Sequence, residues 1–274
     1  MAAQGIVDCH AHIIDPERFP FPDGPGYRPR PDERGTREDY AAVLDANGAS
    51  HALLVQPSGY LFDNRAMLDA MAAAPGRYKG MAVAAPSITD RELAELGAAG
   101  VIGLRFNLVT LDPAALDGAL GARWLDRLKA LGWFAQIFAP DSHWPALAPR
   151  LAASGVAVLI DHFGVQDTTG GVGQPAFQAV LALGRTGRAA VKLSAPFRIS
   201  RRPDRADLDP FAAALIREFG LENCIWGSDW PFLGLPPGLD FAASLAGLAR
   251  WLPSPEDRDA VLRRNPRRLL GLAG

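Results

Sequence analysis

Near the start of the chain, Ile6-Val7 runs straight into Asp8-Cys9-His10-Ala11-His12, a carboxylate and two imidazoles at alternate positions. In an extended strand alternate side chains share a face, so this spacing predicts Asp8, His10 and His12 aimed at one point and Cys9 and Ala11 at the other face. Such a cluster binds a divalent metal or moves protons. A lone histidine would more simply top off a strand and bond to backbone, but a pair beside a carboxylate favours a site. Other polar groups also follow apolar runs: Gln56 with Ser58, Arg105 with Asn107, Asp161 with His162, Lys192 with Ser194 and Arg198, and Ser228 with Asp229. An arginine aimed into a pocket needs an anionic partner, because burying an unpaired guanidinium is costly.

These groups lie far apart in sequence, and the elements between them must bring them together. The apolar runs at Ile6, His51–Gln56, Gly80–Ala85, Val101–Phe106, Trp133–Phe138, Val156–Asp161, Ala189–Leu193 and Asn223–Trp226 read as eight strands. Helical patterns separate them, the first opening at Thr36 with Asp39 in the capping-box position and ending at Asn47-Gly48. Strands alternating with helices imply parallel pairing with right-handed crossovers, and eight such units close into a (β/α)8 TIM barrel. A doubly wound open sheet is the alternative. It would gather its ligand groups at one switch point, whereas here they sit at the C-terminal ends of many strands, the rim where such barrels carry their sites. His51 opens its strand and falls at the opposite rim.

Six prolines between Ile13 and Arg34 exclude regular structure after the first strand. A loop this long at the histidine end predicts a lid or pocket wall, with Tyr27 and Arg28 able to face the site. Gly170-Gly171-Val172-Gly173 is a loop rather than a phosphate cradle, because it does not open a helix in a glycine-rich fingerprint.

The whole chain is consistent with one barrel domain over residues 1–274 plus an extra C-terminal helix, since 274 residues with 49% hydrophobic content can fill such a core. A net charge of -2 gives no field that favours nucleic acid or an anionic membrane, so the expected partner is a small molecule. Two cysteines make no disulfide framework, and the start MAAQGIVD lacks the features of a signal peptide, so a cytoplasmic location is expected. Cys9 and Cys224 are expected as core residues on the two strands that barrel closure makes neighbours, Cys9 facing outward.

Taken together, Asp8-Cys9-His10-Ala11-His12, Val55-Gln56-Pro57-Ser58 with Asp63-Asn64, Gly103-Leu104-Arg105-Phe106-Asn107, Asp161-His162-Phe163-Gly164, Lys192-Leu193-Ser194 with Arg198, Gly227-Ser228-Asp229-Trp230-Pro231 and Asn265-Pro266 span the chain. In this order they resemble the amidohydrolase superfamily, and within it the branch of 2-pyrone-4,6-dicarboxylate lactonase and related sugar-acid lactonases. Most of that superfamily binds metal through the paired histidines, a strand-five histidine and the strand-eight aspartate, with a strand-four lysine in binuclear members. The lysine and the strand-five histidine are missing here, as in the lactonase branch, whose type member works without metal. The resemblance thus implies no cofactor, with a single Zn²⁺ on His10, His12 and Asp229 as the other possibility.

The activity implied is opening of a carboxylate-bearing lactone. Asp229 acts as general base to water and His10, His12 and His162 polarise the carbonyl, with Arg105 and Arg198 gripping a carboxylate helped by Tyr27, Ser58 and Asn107. Enzymes of the pyrone dicarboxylate carry a second basic residue where this chain has Leu111 and a tyrosine where it has Phe138, which implies a lactone with one carboxylate or a different second substituent. A metal-dependent amidohydrolase or decarboxylase, a lactone isomerase and a catalytically dead barrel used for binding remain the alternatives. The last sits badly with a base candidate and arginine anchors kept in one pocket.

Overall fold

The computed structural model describes residues 5–165, 167–235 and 238–272. Its strands are the short aliphatic runs: β1 (Ile6–Ala11), β2 (Ala49–Val55), β3 (Tyr78–Ala82), β4 (Val101–Asn107), β5 (Phe134–Phe138), β6 (Ala157–Ile160), β7 (Ala189–Lys192) and β8 (Cys224–Ile225). Every neighbouring pair is parallel, in the sequential order β1 to β8. The intervening helices are α1 (Arg37–Ala46), α2 (Arg65–Ala73), α3 (Asp90–Ala98), α4 (Gly118–Leu131), α5 (Trp144–Ser154), α6 (Pro175–Gly184), the single turn α7 (Pro196–Ile199) and α8 (Asp209–Phe219), followed by α9 (Phe241–Gly247), α10 (Pro255–Asp259) and α11 (Asn265–Leu270).

Local chemistry sets the helix starts. Thr36 caps α1 in a reciprocal box with Asp39, and Thr89 caps α3 with Glu92, each pair satisfying two amides that the first turn leaves without partners. At the far end of the chain the Asn265 side-chain amide donates to the Leu221 and Cys224 carbonyls at 2.8 and 2.9 Å, tying α11 to the foot of β8. Leu270 of α11 then joins the apolar cluster inside the ring of strands.

The ring closes through the chain just past β8. The Cys9 amide donates to the Trp226 carbonyl at 3.0 Å, the Asp229 amide to the His10 carbonyl at 2.8 Å and the His12 amide to the Trp230 carbonyl at 2.9 Å. So close is this approach that a Cβ on Gly227 would stand 2.6 Å from the His10 backbone nitrogen. Only glycine fits there. The molecule is thus a TIM barrel, with β1 and the β8 segment side by side as expected.

The face assignment within β1 needs correction. Its register against β2 shifts between Asp8 and Ala11, a β-bulge that breaks the alternation of side chains. Val7 and Cys9 pack inside the ring with Leu53, Met81, Leu159, Ala190 and Ile225, residues of five other strands that meet only there. His10 nevertheless also points inward, to Lys192 and Asp161. Asp8 points out, to the Tyr40 hydroxyl of α1 at 2.8 Å. So Cys9 faces inward rather than outward, while Cys224 packs in the layer between strands and helices.

The proline-rich segment forms a fixed wall. An antiparallel bridge between Ile14 and Gly35 joins its ends. Its middle lies on the β2 exit, where a Cβ on Gly26 would come within 1.9 Å of the Ser58 carbonyl oxygen. Tyr27 reaches the cavity, whereas Arg28 turns to the Pro22 carbonyl and lies over the Phe21 ring.

Candidate active site

At the C-terminal mouth of the barrel a cavity of about 240 Å³ is walled by His12, His162 and Asp229, by Arg105 and Arg198, and by Tyr27, Ser58, Asn107 and Phe138. His10 lies one layer deeper, fully buried. All nine residues singled out from sequence for catalysis or binding therefore converge on one place. Asp8 does not. Its carboxylate accepts from the Ser228 amide at 2.8 Å, the Ser228 hydroxyl at 2.5 Å, the Tyr40 hydroxyl at 2.8 Å and the His10 amide at 3.1 Å, and so fastens β1 to the β8 segment.

Asp229 is the centre of the site. Its Oδ1 stands 3.7 Å from His10 Nε2, 3.8 Å from His12 Nε2 and 3.7 Å from His162 Nε2, while Oδ2 pairs with the Arg198 guanidinium. Burial pushes this carboxyl upward, but Arg198 and the three imidazoles outweigh burial and hold it well below the usual carboxylate range. The residue is in the left-handed region at φ +66°, and His162 is there too at φ +46°. Aspartate tolerates that region better than most side chains. Strained backbone of this kind persists where surrounding structure over-determines it, as at functional sites.

Each histidine has its Nδ1 engaged, and the partner decides what Nε2 presents. His12 Nδ1 is 2.7 Å from the Val55 carbonyl, an acceptor, so Nδ1 carries the proton and Nε2 offers a lone pair. His10 Nδ1 is 3.0 Å from Lys192 Nζ and 3.3 Å from Asp161 Oδ1. An ammonium can only donate, so with Lys192 bonded to Nδ1 the His10 proton sits on Nε2, which has no hydrogen-bond partner among the described residues. His162 Nδ1 bonds to the Ser194 hydroxyl at 2.9 Å. Burial is the main cause that pushes His12 down to about 3 and His162 to about 4, and it lowers His10 as well, so the three rings are neutral at neutral pH.

Beneath the rings lies a polar network that sequence reading left out of the site. Asp161 accepts from Arg105 Nε at 3.2 Å, from Gln136 Nε2 at 2.9 and 3.1 Å on its two oxygens, and pairs with Lys192 Nζ at 3.0 Å. This gives Arg105 the anionic partner that its burial demands, and places an acid beside the buried Lys192 ammonium. Burial raises the Asp161 carboxyl, yet Lys192 and its other neighbours hold it well below the usual range. The signal was present in sequence as polar residues inside otherwise apolar strands, but only pairing of β4 with β5, which sets Arg105 opposite Gln136, joins them. Glu33 was also missed: it takes the Tyr27 hydroxyl at 2.8 Å and fixes the ring at the cavity edge.

A divalent ion fits the donor set. One ligand atom from each of His10, His12 and Asp229 lies within 4.8 Å of the others, and His12 Nε2 offers a lone pair, whereas His10 Nε2 would first have to give up the proton that Lys192 places there. The neighbours oppose it, because Arg198 already neutralises Asp229 and the Lys192 ammonium touches His10.

A family model described as Amidohydrolase matches residues 7–272. The chain is 32% identical over 279 residues to a 4-sulfomuconolactone hydrolase of Hydrogenophaga intermedia, covering 97% of this chain and 89% of that protein. It is 31% identical to a 2-pyrone-4,6-dicarboxylate hydrolase of Comamonas testosteroni, with 97% and 90% covered. A crystal structure of a probable 2-pyrone-4,6-dicarboxylic acid hydrolase from Acinetobacter baumannii with citric acid bound superposes with a TM-score of 0.87 at 30% identity, over 97% of this chain and 99% of that one. With a family model matched over residues 7–272 and relatives more than 30% identical over nearly the whole chain, this chain belongs to the amidohydrolase family.

Proposed function

We propose that this protein hydrolyses a carboxylate-bearing lactone, with Asp229 as general base. The observation that carries this reading is an ionised, buried carboxylate ringed by three neutral imidazoles in a cavity whose wall also holds two guanidinium groups. Relatives named as hydrolases of anionic lactones, and a structural neighbour with citric acid bound, support the same substrate class.

Water is held between Asp229 Oδ1 and the His12 Nε2 lone pair. It attacks the lactone carbonyl carbon and passes a proton to Asp229. His10, donating from Nε2, and His162, in the tautomer in which the Ser194 hydroxyl donates to Nδ1 and leaves the proton on Nε2, take the negative charge that develops on the carbonyl oxygen. The ring C–O bond then breaks, the Asp229 proton goes to the leaving oxygen, and the product is a carboxylic acid bearing a free hydroxyl, which releases its acid proton to solvent to become the carboxylate. Arg198 has two tasks. In the free protein it holds Asp229 in a weakly basic state, and a substrate carboxylate that draws the guanidinium away returns basicity to Asp229 when there is something to hydrolyse. Arg105 offers its remaining Nη2 to the substrate, its Nε and Nη1 being engaged by Asp161 and the Gln56 carbonyl.

The reaction proceeds without a resident metal on this reading, since Arg198 and Lys192 already supply the positive charge. Were a divalent ion present, His10, His12 and Asp229 would hold it, and it would supply a polarised carbonyl and a more acidic water. A panel of lactone carboxylates assayed with and without EDTA tests both parts. Ring-opened hydroxy acid formed at an unchanged rate in chelator is expected. Loss of activity in EDTA with recovery on Zn²⁺ or Mn²⁺ would overturn metal independence, and a rearranged ring as product would overturn hydrolysis.

A further inference from the structure

A second cavity, of about 140 Å³, lies directly beside the catalytic one. Arg105 and Asn107 line both. Those two side chains face the barrel interior, so alternation along β4 sends Leu104 and Phe106 to the other side, where they form the floor of this second space. Trp124 of α4 and Leu111 and Ala115 of the β4–α4 connection complete its walls, and Leu61 and Phe62 close it at the solvent edge. An engineered apolar cavity of about 150 Å³ stays dry and takes up benzene, so this space has the size and lining for one aromatic ring.

The rim carries backbone strain and an exposed ring. Leu61 is held at φ +49°, a conformation costly for a side chain with a Cβ. Phe62, next to it, leaves 53% of its surface exposed at the edge of the cavity. A strained residue followed by an exposed aromatic ring beside an apolar pocket is the arrangement of a ligand clamp.

We propose that this cavity is a subsite for an aromatic or short alkyl arm of the substrate, which reaches it over the C-terminal end of β4 at Asn107 while Arg105 and Arg198 hold the carboxylate in the catalytic cavity. The proposal rests on the lactone hydrolase reading and narrows it to lactone carboxylates that carry one apolar substituent.

Two measurements on the full chain test it. Toluene soaked into crystals is expected between Leu111, Ala115 and Trp124, and is expected to be absent in Ala115→Phe, where the new ring fills the space. An empty cavity in the soaked wild type would overturn the proposal. The second measurement compares kcat/KM for a five-membered lactone carboxylate with and without a phenyl substituent. Wild type is expected to favour the phenyl compound by roughly tenfold or more, the discrimination that filling a hydrophobic pocket provides, and Ala115→Phe to lose that preference. Because selectivity is a ratio, partial loss of folded protein leaves it unaffected. Equal turnover of the two lactones by wild type would sink the subsite. Turnover of neither, with toluene bound, would count against the hydrolase reading while upholding the apolar binding site.

Discussion

Asp8 and Asp229 are both buried, both lie where β1 meets the segment after β8, and their environments drive them in opposite directions. Asp8 accepts four hydrogen bonds from neutral donors and pairs with no cation among the described residues, and burial, opposed by those bonds, raises its carboxyl. Asp229 faces Arg198 and three imidazoles, and the guanidinium drives its carboxyl down. Neutral partners fix a carboxylate in place and make it structural. A charged partner that can be drawn off keeps the other ionised, the condition for the base role proposed for it.

Three substitutions would break or sharpen this contrast. The largest effect is expected for Asp229→Asn, which keeps the shape and removes the base: kcat on a lactone carboxylate should fall by about two to four orders of magnitude with KM little changed. Near-normal turnover would remove Asp229 from the chemistry. Asp8→Ala should instead act on folding, leaving the Ser228 and Tyr40 groups buried without partners at a cost of about 3 kcal/mol. Urea titration reads this as a lower midpoint, and an unchanged midpoint would show that Asp8 does not hold the ring closed.

The smallest effect expected is that of Arg198→Gln on the pH profile. A base must be deprotonated to work, so activity falls as pH drops through its pKa. With Arg198 present that pKa lies well below the usual range, and the acid limb of kcat/KM lies correspondingly low. Removing the guanidinium removes the leading downward influence, so the limb should move to higher pH, by about one unit, each unit being about 1.4 kcal/mol. KM for the carboxylate substrate should rise as well. An acid limb that stays in place would mean that Arg198 does not control Asp229.

Much of this was legible in sequence, for identifiable reasons. Aliphatic runs separated by capped helices gave all the strands, because strand burial and N-cap chemistry are local: Thr36 with Asp39 marks the start of α1 and Asn47 its end. The rim assignment followed from topology, since parallel strands put their C-terminal ends together. The apolar side cavity was invisible. Leu104, Leu111 and Trp124 read as ordinary core residues, and nothing local indicates that space remains between them.

By itself the sequence determined which residue types stand at each strand end, and hence the barrel, the convergence of His10, His12, His162 and Asp229, and the missing strand-four lysine and strand-five histidine. Tertiary structure decided what each of those groups is. A register shift in β1 turns His10 inward beside Cys9 while Asp8 stays outward, the Val55 carbonyl and Lys192 set the tautomers of His12 and His10, and Arg198 sets the charge on Asp229. The reason is physical: side-chain periodicity and capping are properties of neighbours along the chain, whereas a proton's position and a carboxyl's affinity for it depend on groups brought within a few ångströms by closure of the ring.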